Sequence, residues 1–208
     1  MTGFTVNLRV AGWPCLVVGA GAIALPKAQR LIEGGAVVTI VAPDAPEALA
    51  GATILRRPVK LQDLDGMRLA IFGTHDPALN RELFDEASRR GILAAAVDDR
   101  EAADFFMPAL LRRGDLEVAV STGGGAPAYA VWVRDRIAAL VDAAYGQALD
   151  WLTALRRERL RALPLPERKR VFRALLALDL PANFRTGSPE DLEAKAASIL
   201  DGNRDVSA

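Results

Sequence analysis

The stretch that decides the fold is Cys15-Leu16-Val17-Val18-Gly19-Ala20-Gly21-Ala22-Ile23-Ala24. Its first four residues form an unbroken apolar run, which is typical of a parallel strand covered on both faces. The other six match G-x-G-x-x-G/A, the turn between strand and helix in dinucleotide-binding folds. Gly19 permits the tight bend, Gly21 lets the backbone approach a pyrophosphate, and Ala24 lets helix and strand pack closely. The stretch therefore predicts a strand, a glycine turn and a helix that form a nucleotide site.

The residues that follow complete this unit. Apolar side chains recur at helical spacing from Ala24 to Ile32, and Gly34-Gly35 ends the predicted helix. Val37–Val41 then reads as a second buried strand, and Asp44 stands just past its end. An acid about 20 residues beyond the glycines can accept a hydrogen bond from a ribose hydroxyl and would repel a 2′-phosphate. The sequence therefore favours NAD over NADP; the alternative is a glycine turn that only packs a βαβ unit.

Composition and charge exclude several classes of partner. The 208 residues carry 26 Lys+Arg and 26 Asp+Glu, so no overall field attracts nucleic acid or an anionic membrane. Cys15 is the only cysteine and His75 the only histidine, which excludes an internal disulfide and a His/Cys metal cage. We therefore predict no metal site. No apolar run approaches the ~20 residues of a membrane span, and residues 1–9 lack a signal-peptide pattern, so we expect a cytoplasmic protein.

Strands and helices continue to alternate along the first half of the chain. Further predicted elements are the strands Thr53–Arg57, Leu69–Phe72 and Ile92–Val97 and the helix Pro77–Arg90. Alternation through Phe4, Val6 and Leu8 predicts an added edge strand. This order indicates an α/β fold with a Rossmann-like, mostly parallel sheet that binds ligands beyond the carboxyl ends of its strands. Because Thr74 and Asp98 emerge at that edge beside the glycine turn, Thr74 is a candidate cofactor contact.

The pattern changes after Phe105. Two short strands, Phe105–Arg112 and Leu116–Ser121, predict a hairpin, and residues 126–163 and 166–178 have helical character. Ser188 and Pro189 predict the N-cap and first residue of a last helix. We therefore predict a Rossmann-like domain at residues 1–103, a hairpin-and-helix part at 104–145 and a helical part at 146–208.

Four segments are specific when taken together. They are Val17-Val18-Gly19-Ala20-Gly21 with Ala24 and Lys27; Val38-Thr39-Ile40-Val41-Ala42-Pro43; Val97-Asp98 with Ala102, Ala103, Phe105, Met107 and Pro108; and Val118-Ala119-Val120-Ser121-Thr122-Gly123-Gly124 with Ala126-Pro127. On these residues the chain resembles the precorrin-2 dehydrogenase family, the N-terminal half of bifunctional siroheme synthases and their stand-alone relatives. The likeness runs from about Leu8 to Leu140. We expect a stand-alone form, without the methyltransferase half of the long synthases.

The resemblance implies NAD-dependent oxidation of precorrin-2 to sirohydrochlorin and, in some members, insertion of ferrous iron to give siroheme. It also implies a homodimer in which residues 104–145 serve dimerisation and substrate binding. By position it implies a catalytic carboxylate at Asp98 and an NAD site lined by Ala22, Ile23, Pro43 and Asp44. Ring dehydrogenation releases a hydride, which the nicotinamide takes, and a proton, which a base at the end of a strand can take.

The substrate carries many carboxylates, so arginines are expected to meet it. The candidates are Arg112, Arg113 and Arg134, whereas the basic runs at 156–159 and 168–170 are better explained as solvated helix faces. A second candidate contact is the loop of Ser121, Thr122, Gly123 and Gly124, whose N–H groups could meet a substrate carboxylate. Its alternative is a glycine-rich hinge into the next helix.

Several of these residues have plainer explanations. The Asp98-Asp99 pair can be a turn, Asp104 a solvated loop acid, and His75 a residue at a helix start. Pro26 departs from the family pattern, in which relatives have a basic residue, and within a helix it removes an N–H bond unless the first turn is irregular. Gly125-Ala126 likewise replaces a commoner polar pair.

Two other functions stay open. One is an NAD-sensing regulatory module, which would need no Asp98 and leaves the third and fourth segments unexplained. The other is a tetrapyrrole carrier or chelatase without redox activity, which the loss of a cation at Pro26 makes conceivable.

Overall fold

The computed structural model of the protein describes residues 3–187 and 189–204. The chain divides between Met107 and Pro108 into two compact units. The first unit holds a parallel sheet with helices, and the second holds a β-hairpin followed by helices. The predicted α/β class with a Rossmann-like sheet is confirmed.

The first unit is built on five parallel strands. They are β1 (Pro14–Val18), β2 (Val37–Val41), β3 (Ala52–Leu55), β4 (Leu69–Phe72) and β5 (Leu93–Ala96). The flanking helices are α1 (Ala24–Glu33), a 3₁₀ helix (Leu61–Leu64) and α2 (Pro77–Arg89). The strand order is β3-β2-β1-β4-β5, so the strands are added first on one side of β1 and then, from β4 onward, on its other side. The carboxyl ends of β1 and β4 therefore border the crevice in which such sheets bind ligands.

Two apolar clusters cover the two faces of this sheet. Val17 of β1 packs with Ala28 of α1 in one cluster, whereas the adjacent Val18 packs with Leu83 of α2 in the other. Successive strand residues point to opposite faces, so a strand buried on both faces needs an unbroken apolar run. The same packing fixes the two helices that begin beside the crevice.

The predicted edge strand through Phe4, Val6 and Leu8 is wrong. Residues 3–10 form no strand, and these three side chains are 92%, 54% and 40% exposed. The alternating apolar side chains do not bury themselves against the sheet. No burial then offsets the conformational entropy that a strand would lose on ordering.

Strand β5 forms one edge of the sheet, and the segment that follows it in the chain covers this edge. Ala103 forms an antiparallel bridge with Ala95. The Asp104 carboxylate accepts a hydrogen bond from the Ala94 N–H at 2.9 Å, and the Asp104 N–H donates to the Ala94 carbonyl at 2.9 Å. Asp104 is exposed, as predicted for a solvated acid, and it also satisfies backbone groups of an edge strand.

The second unit starts with the predicted hairpin, which is shorter than expected. Its strands are β6 (Ala109–Arg113) and β7 (Leu116–Val120). The helices are α3 (Pro127–Ala138), α4 (Ala143–Leu155), a π-helix (Arg156–Leu160), α5 (Leu165–Leu176), α6 (Leu180–Thr186) and α7 (Pro189–Arg204).

The helical stretch predicted for residues 126–163 is interrupted at 139–142. Asp142 begins α4 as its N-cap, because its carboxylate accepts from the Ala144 N–H at 3.1 Å. Pro189 is the first residue of α7, as predicted. The predicted N-cap Ser188 lies outside the described residues.

Gly146 on α4 is needed for close packing against the hairpin. A Cβ there would lie 2.5 Å from the Arg113 carbonyl oxygen, so the backbone would have to move. We expect Gly146→Ala to lower the free energy of unfolding by about 1–3 kcal/mol in denaturant titrations. In Gly202→Ala on α7 the new methyl meets open space, and we expect a gain of about 0.5–1 kcal/mol from helix propensity. Equal effects of the two substitutions would contradict the packing argument.

Candidate functional site

A cleft of about 260 Å³ lies at the carboxyl ends of β1, β2 and β4. It is lined by Val18, Gly19, Ala20, Gly21, Val41, Ala42, Pro43, Asp44, Pro58, Val59, Gly73, Thr74, His75 and Leu79. The structure thus gathers the predicted cofactor residues Gly19, Gly21, Pro43, Asp44 and Thr74 in one place, together with His75. The cleft stands at the point where the strand order reverses, the usual ligand position in open α/β sheets.

The two glycines of the turn serve different purposes. Gly19 has a φ of 102°, and a Cβ there would lie 2.4 Å from the Gly73 carbonyl oxygen, so the fold itself requires glycine. At Gly21 a Cβ would meet nothing within 4 Å. The protein therefore leaves open space beside the Gly21 backbone, which suits the close approach of a pyrophosphate.

Helix α1 begins at the rim of this turn. The Ala24 and Leu25 N–H groups both donate to the Gly21 carbonyl at 3.1 Å, so the glycine turn is continuous with the positive end of the helix dipole. Ala22 and Ile23 are exposed just before the helix and are not part of the cleft lining described above.

Pro26 does not disturb this turn. It is the third residue of α1, a position whose N–H has no partner within a helix in any case. The expected loss of a helical hydrogen bond is therefore corrected.

Asp44 follows β2 by three residues and is exposed at the cleft. Its carboxylate can accept from a ribose hydroxyl of a nucleotide in the cleft. Pro58, Val59 and Leu79 add an apolar wall that sequence reasoning missed. Pro58 and Val59 come shortly after β3. Since parallel strands present their carboxyl ends to the ligand, their position in the sequence could have predicted that they line the cleft.

The wall at Pro58 and Val59 is held by an ion pair. The Arg57 guanidinium donates to both carboxylate oxygens of Asp63, at 2.8 and 2.6 Å, and the Lys60 N–H donates to Asp63 at 2.8 Å. The Asp63 side chain is only 11% exposed. The hydrogen bonds from Arg57 hold the pKa of Asp63 below its ordinary value of 3.8.

This pKa shift predicts a pH-dependent stability. A carboxyl whose pKa is lowered on folding stabilises the folded state fully above the unfolded pKa, and that stabilisation is lost as the pH falls through the folded value. We expect wild type to exceed Asp63→Asn in unfolding free energy at neutral pH, and the difference to shrink below about pH 4. Asp65→Asn, which changes a 69% exposed carboxylate, is the control and should stay close to wild type. A difference that does not vary with pH would contradict the assignment.

The Thr74 hydroxyl makes hydrogen bonds with other residues of the chain. Its Oγ1 donates to the Asn80 side-chain oxygen at 2.7 Å, and the Asp76 N–H donates to Thr74 Oγ1 at 3.2 Å. Asp76 in turn caps α2 by accepting from the Ala78 and Leu79 N–H groups at 2.9 and 3.2 Å. Thr74 therefore forms the wall of the cleft as part of an ordered loop. Asn80 was not anticipated from the sequence.

The two aspartates after β5 have different roles. Asp99 accepts hydrogen bonds from the Glu101 and Ala102 N–H groups at 3.0 and 3.2 Å and pairs with Arg81. Asp99 is therefore the residue that stabilises the turn. Asp98 is exposed with a φ of 65°, and no hydrogen bond joins its carboxylate to another described residue. A left-handed backbone at a non-glycine residue is uncommon and tends to occur at functional sites.

Lys27 of α1 lies within electrostatic reach of Asp98. Burial, with a smaller effect from Arg30, lowers the pKa of Lys27, and the Asp98 carboxylate opposes this shift. The negative charge after β5 therefore acts on the same helix whose N-terminus borders the glycine turn.

The predicted substrate loop in the second unit is internally bonded. Ser121 Oγ accepts from the Gly123 N–H at 3.2 Å, and Thr122 Oγ1 accepts from the Ala126 N–H at 3.1 Å. Gly123 and Gly124 have φ values of 58° and 77°, which glycine adopts readily. The two hydroxyls therefore shape the turn into α3.

The predicted substrate arginines also have partners within the second unit. Arg112 pairs with Glu117 across the hairpin at 2.6 Å, and Arg134 pairs with Asp135 at 2.5 Å. Arg113 donates to the Val141 carbonyl at 2.9 Å. A carboxylate ligand would have to compete with these partners for each guanidinium.

Two features are absent from the described residues. No group of three or more His, Cys, Asp or Glu side chains is arranged there to hold a metal ion. No helix in that part of the chain is both long and apolar enough to cross a membrane.

Comparison with known families decides the affiliation. Residues 6–109 match the family described as "Putative NAD(P)-binding", and residues 113–140 match "Sirohaem biosynthesis protein central". The chain belongs to the siroheme-synthase family of NAD(P)-binding proteins. The order of the two matches is the order of the glycine-turn unit and of the hairpin with its following helix.

Individual relatives agree with this affiliation. The siroheme synthase of Azotobacter vinelandii is 38% identical over 202 residues, which is 92% of this chain and 43% of that protein. The siroheme synthase of Chromobacterium violaceum is 39% identical over 153 residues, 71% of this chain and 33% of that protein. The chain thus spans less than half the length of these relatives. The solved structure of SirC, precorrin-2 dehydrogenase, has the same fold, with a TM-score of 0.75 at 24% identity over 95% of this chain and 98% of that one.

Proposed function

We propose that this protein oxidises precorrin-2 to sirohydrochlorin with NAD as the hydride acceptor. The observation that carries the proposal is the pairing, within one unit, of a nucleotide cleft at the glycine turn with an exposed carboxylate at Asp98 that the loop does not use. The likeness to siroheme synthases over most of the chain supports this choice of substrate.

The residues of the site have distinct roles in the proposed reaction. Gly21 and the start of α1 receive the pyrophosphate, Asp44 accepts from a ribose hydroxyl, and the apolar wall at Val59 excludes water. Bound NAD supplies a hydride acceptor. Asp98 takes the proton that leaves the macrocycle as the hydride departs, and an exposed carboxylate can pass it on to solvent.

The first experiment is an anaerobic assay of the purified protein with freshly generated precorrin-2. NADH formation and the visible spectrum of the macrocycle report turnover, and separate titrations with NAD and NADP report the cofactor. We expect sirohydrochlorin to appear with NAD, and NAD to bind more tightly than NADP because Asp44 repels a 2′-phosphate.

The same assay distinguishes the alternatives. NAD binding without turnover would overturn the dehydrogenase and favour an NAD-sensing module. Iron insertion into sirohydrochlorin without NAD-dependent turnover would favour a chelatase. Ferrous iron, added to the product of the wild-type reaction, tests whether chelation follows oxidation.

We place the reaction in the cytoplasm. Cys15 is a buried free cysteine, and burial raises the pKa of its thiol to about 11. The single cysteine forms no disulfide within the chain, which is typical of a reducing compartment.

We also propose that the protein is a homodimer joined through α3. Tyr129 and Trp132 stack with ring centroids 5.5 Å apart, yet they are 59% and 51% exposed, and Leu140 beyond the helix is 73% exposed. Exposed apolar side chains that cluster mark interaction sites. A second copy of this surface can bury the exposed rings.

A charge on this surface should separate the subunits. We expect Trp132→Glu to convert the dimer into a monomer in sedimentation equilibrium, because the interface would lose an apolar ring and bury a charge whose desolvation a salt bridge to Arg136, one turn further on, does not offset. Leu176→Glu, on α5 at a side chain that is 60% exposed, is the control and should remain dimeric. A monomeric wild type, or a dimeric Trp132→Glu variant, would contradict the proposal.

A further inference from the structure

Asn80 is the buried polar side chain among the described residues of the first unit. It lies in the first turns of α2 and is 5% exposed. A buried amide is expensive unless its donors and acceptors are satisfied, so its partners indicate what it does.

Among the described residues, the hydrogen-bond partners of the Asn80 side chain all belong to Thr74. The Asn80 oxygen accepts from the Thr74 N–H at 3.1 Å and from Thr74 Oγ1 at 2.7 Å, and the Asn80 amide N–H donates to the Thr74 carbonyl at 3.1 Å. The side-chain amide thus pairs with both backbone groups of one residue, as a neighbouring strand would. It holds the chain in place just after β4 ends.

The segment held in this way touches the nucleotide site on two sides. Thr74 lines the cleft. The Gly73–Thr74 peptide also lies directly against the glycine turn, because a Cβ on Gly19 would be 2.4 Å from the Gly73 oxygen and 3.2 Å from the Thr74 nitrogen. Any shift of this peptide would therefore change the width of the cleft and the position of the glycine turn.

We propose that Asn80 is a positioning residue of the nucleotide site: it fixes the Gly73–Thr74 peptide against the glycine turn and so sets the affinity for the cofactor. The proposal rests on NAD as the ligand of the proposed function. The described hydrogen bonds of the Asn80 side chain go to Thr74 and not to Asp98. Loss of Asn80 should therefore weaken cofactor binding and leave the proton transfer at Asp98 unchanged.

The test compares Asn80→Ala and Asn80→Asp with wild type. Direct calorimetric titration with NAD, below the unfolding temperature of every variant, should give a Kd about 10-fold higher for Asn80→Ala, since two backbone groups lose their partners. The KM for NAD should rise by a similar factor, while kcat at saturating NAD stays within about 2-fold, because only ground-state binding is lost.

Asn80→Asp adds a readout that a merely structural role would not move. The ionised carboxylate still accepts from the Thr74 N–H but cannot donate to the Thr74 carbonyl. A protonated carboxyl can donate, so the Kd of this variant should approach that of wild type as the pH becomes mildly acidic. Other ionisable side chains lie on the same loop and in the cleft, namely His75, Asp76 and Asp44, so wild type is measured at each pH as the reference.

Asn183 provides a matched control in the other unit. Its side-chain N–H donates to the carbonyls of Leu178 and Asp179 at 2.5 and 3.1 Å. Asn183→Ala should lower the unfolding temperature and leave the Kd for NAD unchanged.

Each outcome bears on one proposal. An unchanged Kd in Asn80→Ala, or an equal rise in Asn183→Ala, would overturn the role of Asn80. A wild type that binds NAD without oxidising precorrin-2 would overturn the proposed reaction, while the binding comparison would still test Asn80.

Discussion

Replacing Asp98 with asparagine is expected to lower kcat for precorrin-2 oxidation by about 10²- to 10⁴-fold, the usual contribution of a general base. The amide keeps the size of the side chain and, like aspartate, tolerates the left-handed φ of 65°. It cannot accept the proton. The Kd for NAD should stay close to that of wild type, because the described nucleotide cleft is lined without Asp98. Anaerobic single-turnover assays and calorimetric titration measure the two quantities.

Asp99→Asn is the control for this substitution. Its side-chain oxygen can still accept from the Glu101 and Ala102 N–H groups, and it loses only an exposed ion pair with Arg81, which contributes little. We therefore expect kcat near wild type. Equal losses at the two positions would mean that the loop, and not the Asp98 carboxylate, limits turnover.

Asp98→Asn also tests whether the charge of the Asp98 carboxylate influences the pKa of Lys27. Removing the carboxylate removes the influence that raises the pKa of Lys27, so the pKa should fall further and the amine should react faster with an acylating reagent at fixed pH. This measurement is independent of catalysis. It reports that the base and the helix at the glycine turn belong to one electrostatic environment.

The part of the fold that the sequence predicted is the part decided locally. The β1–turn–α1 unit needs a strand buried on both faces, a tight bend and a small residue at position 24. Each requirement restricts the residue types at neighbouring positions, so it can be recognised in the sequence. Asp44 is found in the same way, since its distance from the turn is set by one helix and one strand. The parallel sheet and its ligand-binding edge follow from the alternation of elements.

What the sequence did not predict depends on distant packing. Phe4 alternates with polar neighbours as a strand residue would, but no apolar surface covers it, and a pattern carries no information on whether such a surface exists. Asn80 reads as an ordinary polar helix residue until α2 is packed beside the end of β4. Asp98 and Asp99 are adjacent residues of the same type. Only the geometry of the turn decides which carboxylate accepts hydrogen bonds from backbone N–H groups.

Gly19→Ala is expected to have the largest effect on stability. The new Cβ would lie 2.4 Å from the Gly73 carbonyl oxygen at a φ of 102°, so it adds backbone strain to a clash with backbone that is itself fixed by Asn80. We expect a loss of about 2–5 kcal/mol in the free energy of unfolding. Chemical denaturation measures it, and NAD binding should be lost with the turn.

Gly21→Ala is the informative partner of that variant, because it separates the needs of the fold from those of the ligand. A Cβ at Gly21 meets nothing within 4 Å, so stability should change by no more than about 0.5 kcal/mol. The methyl would occupy the space through which a pyrophosphate approaches, and the Kd for NAD should rise by about 10- to 100-fold. If Gly21→Ala binds NAD as wild type does, the pyrophosphate does not lie at this turn. The open space beside Gly21 would then need another explanation.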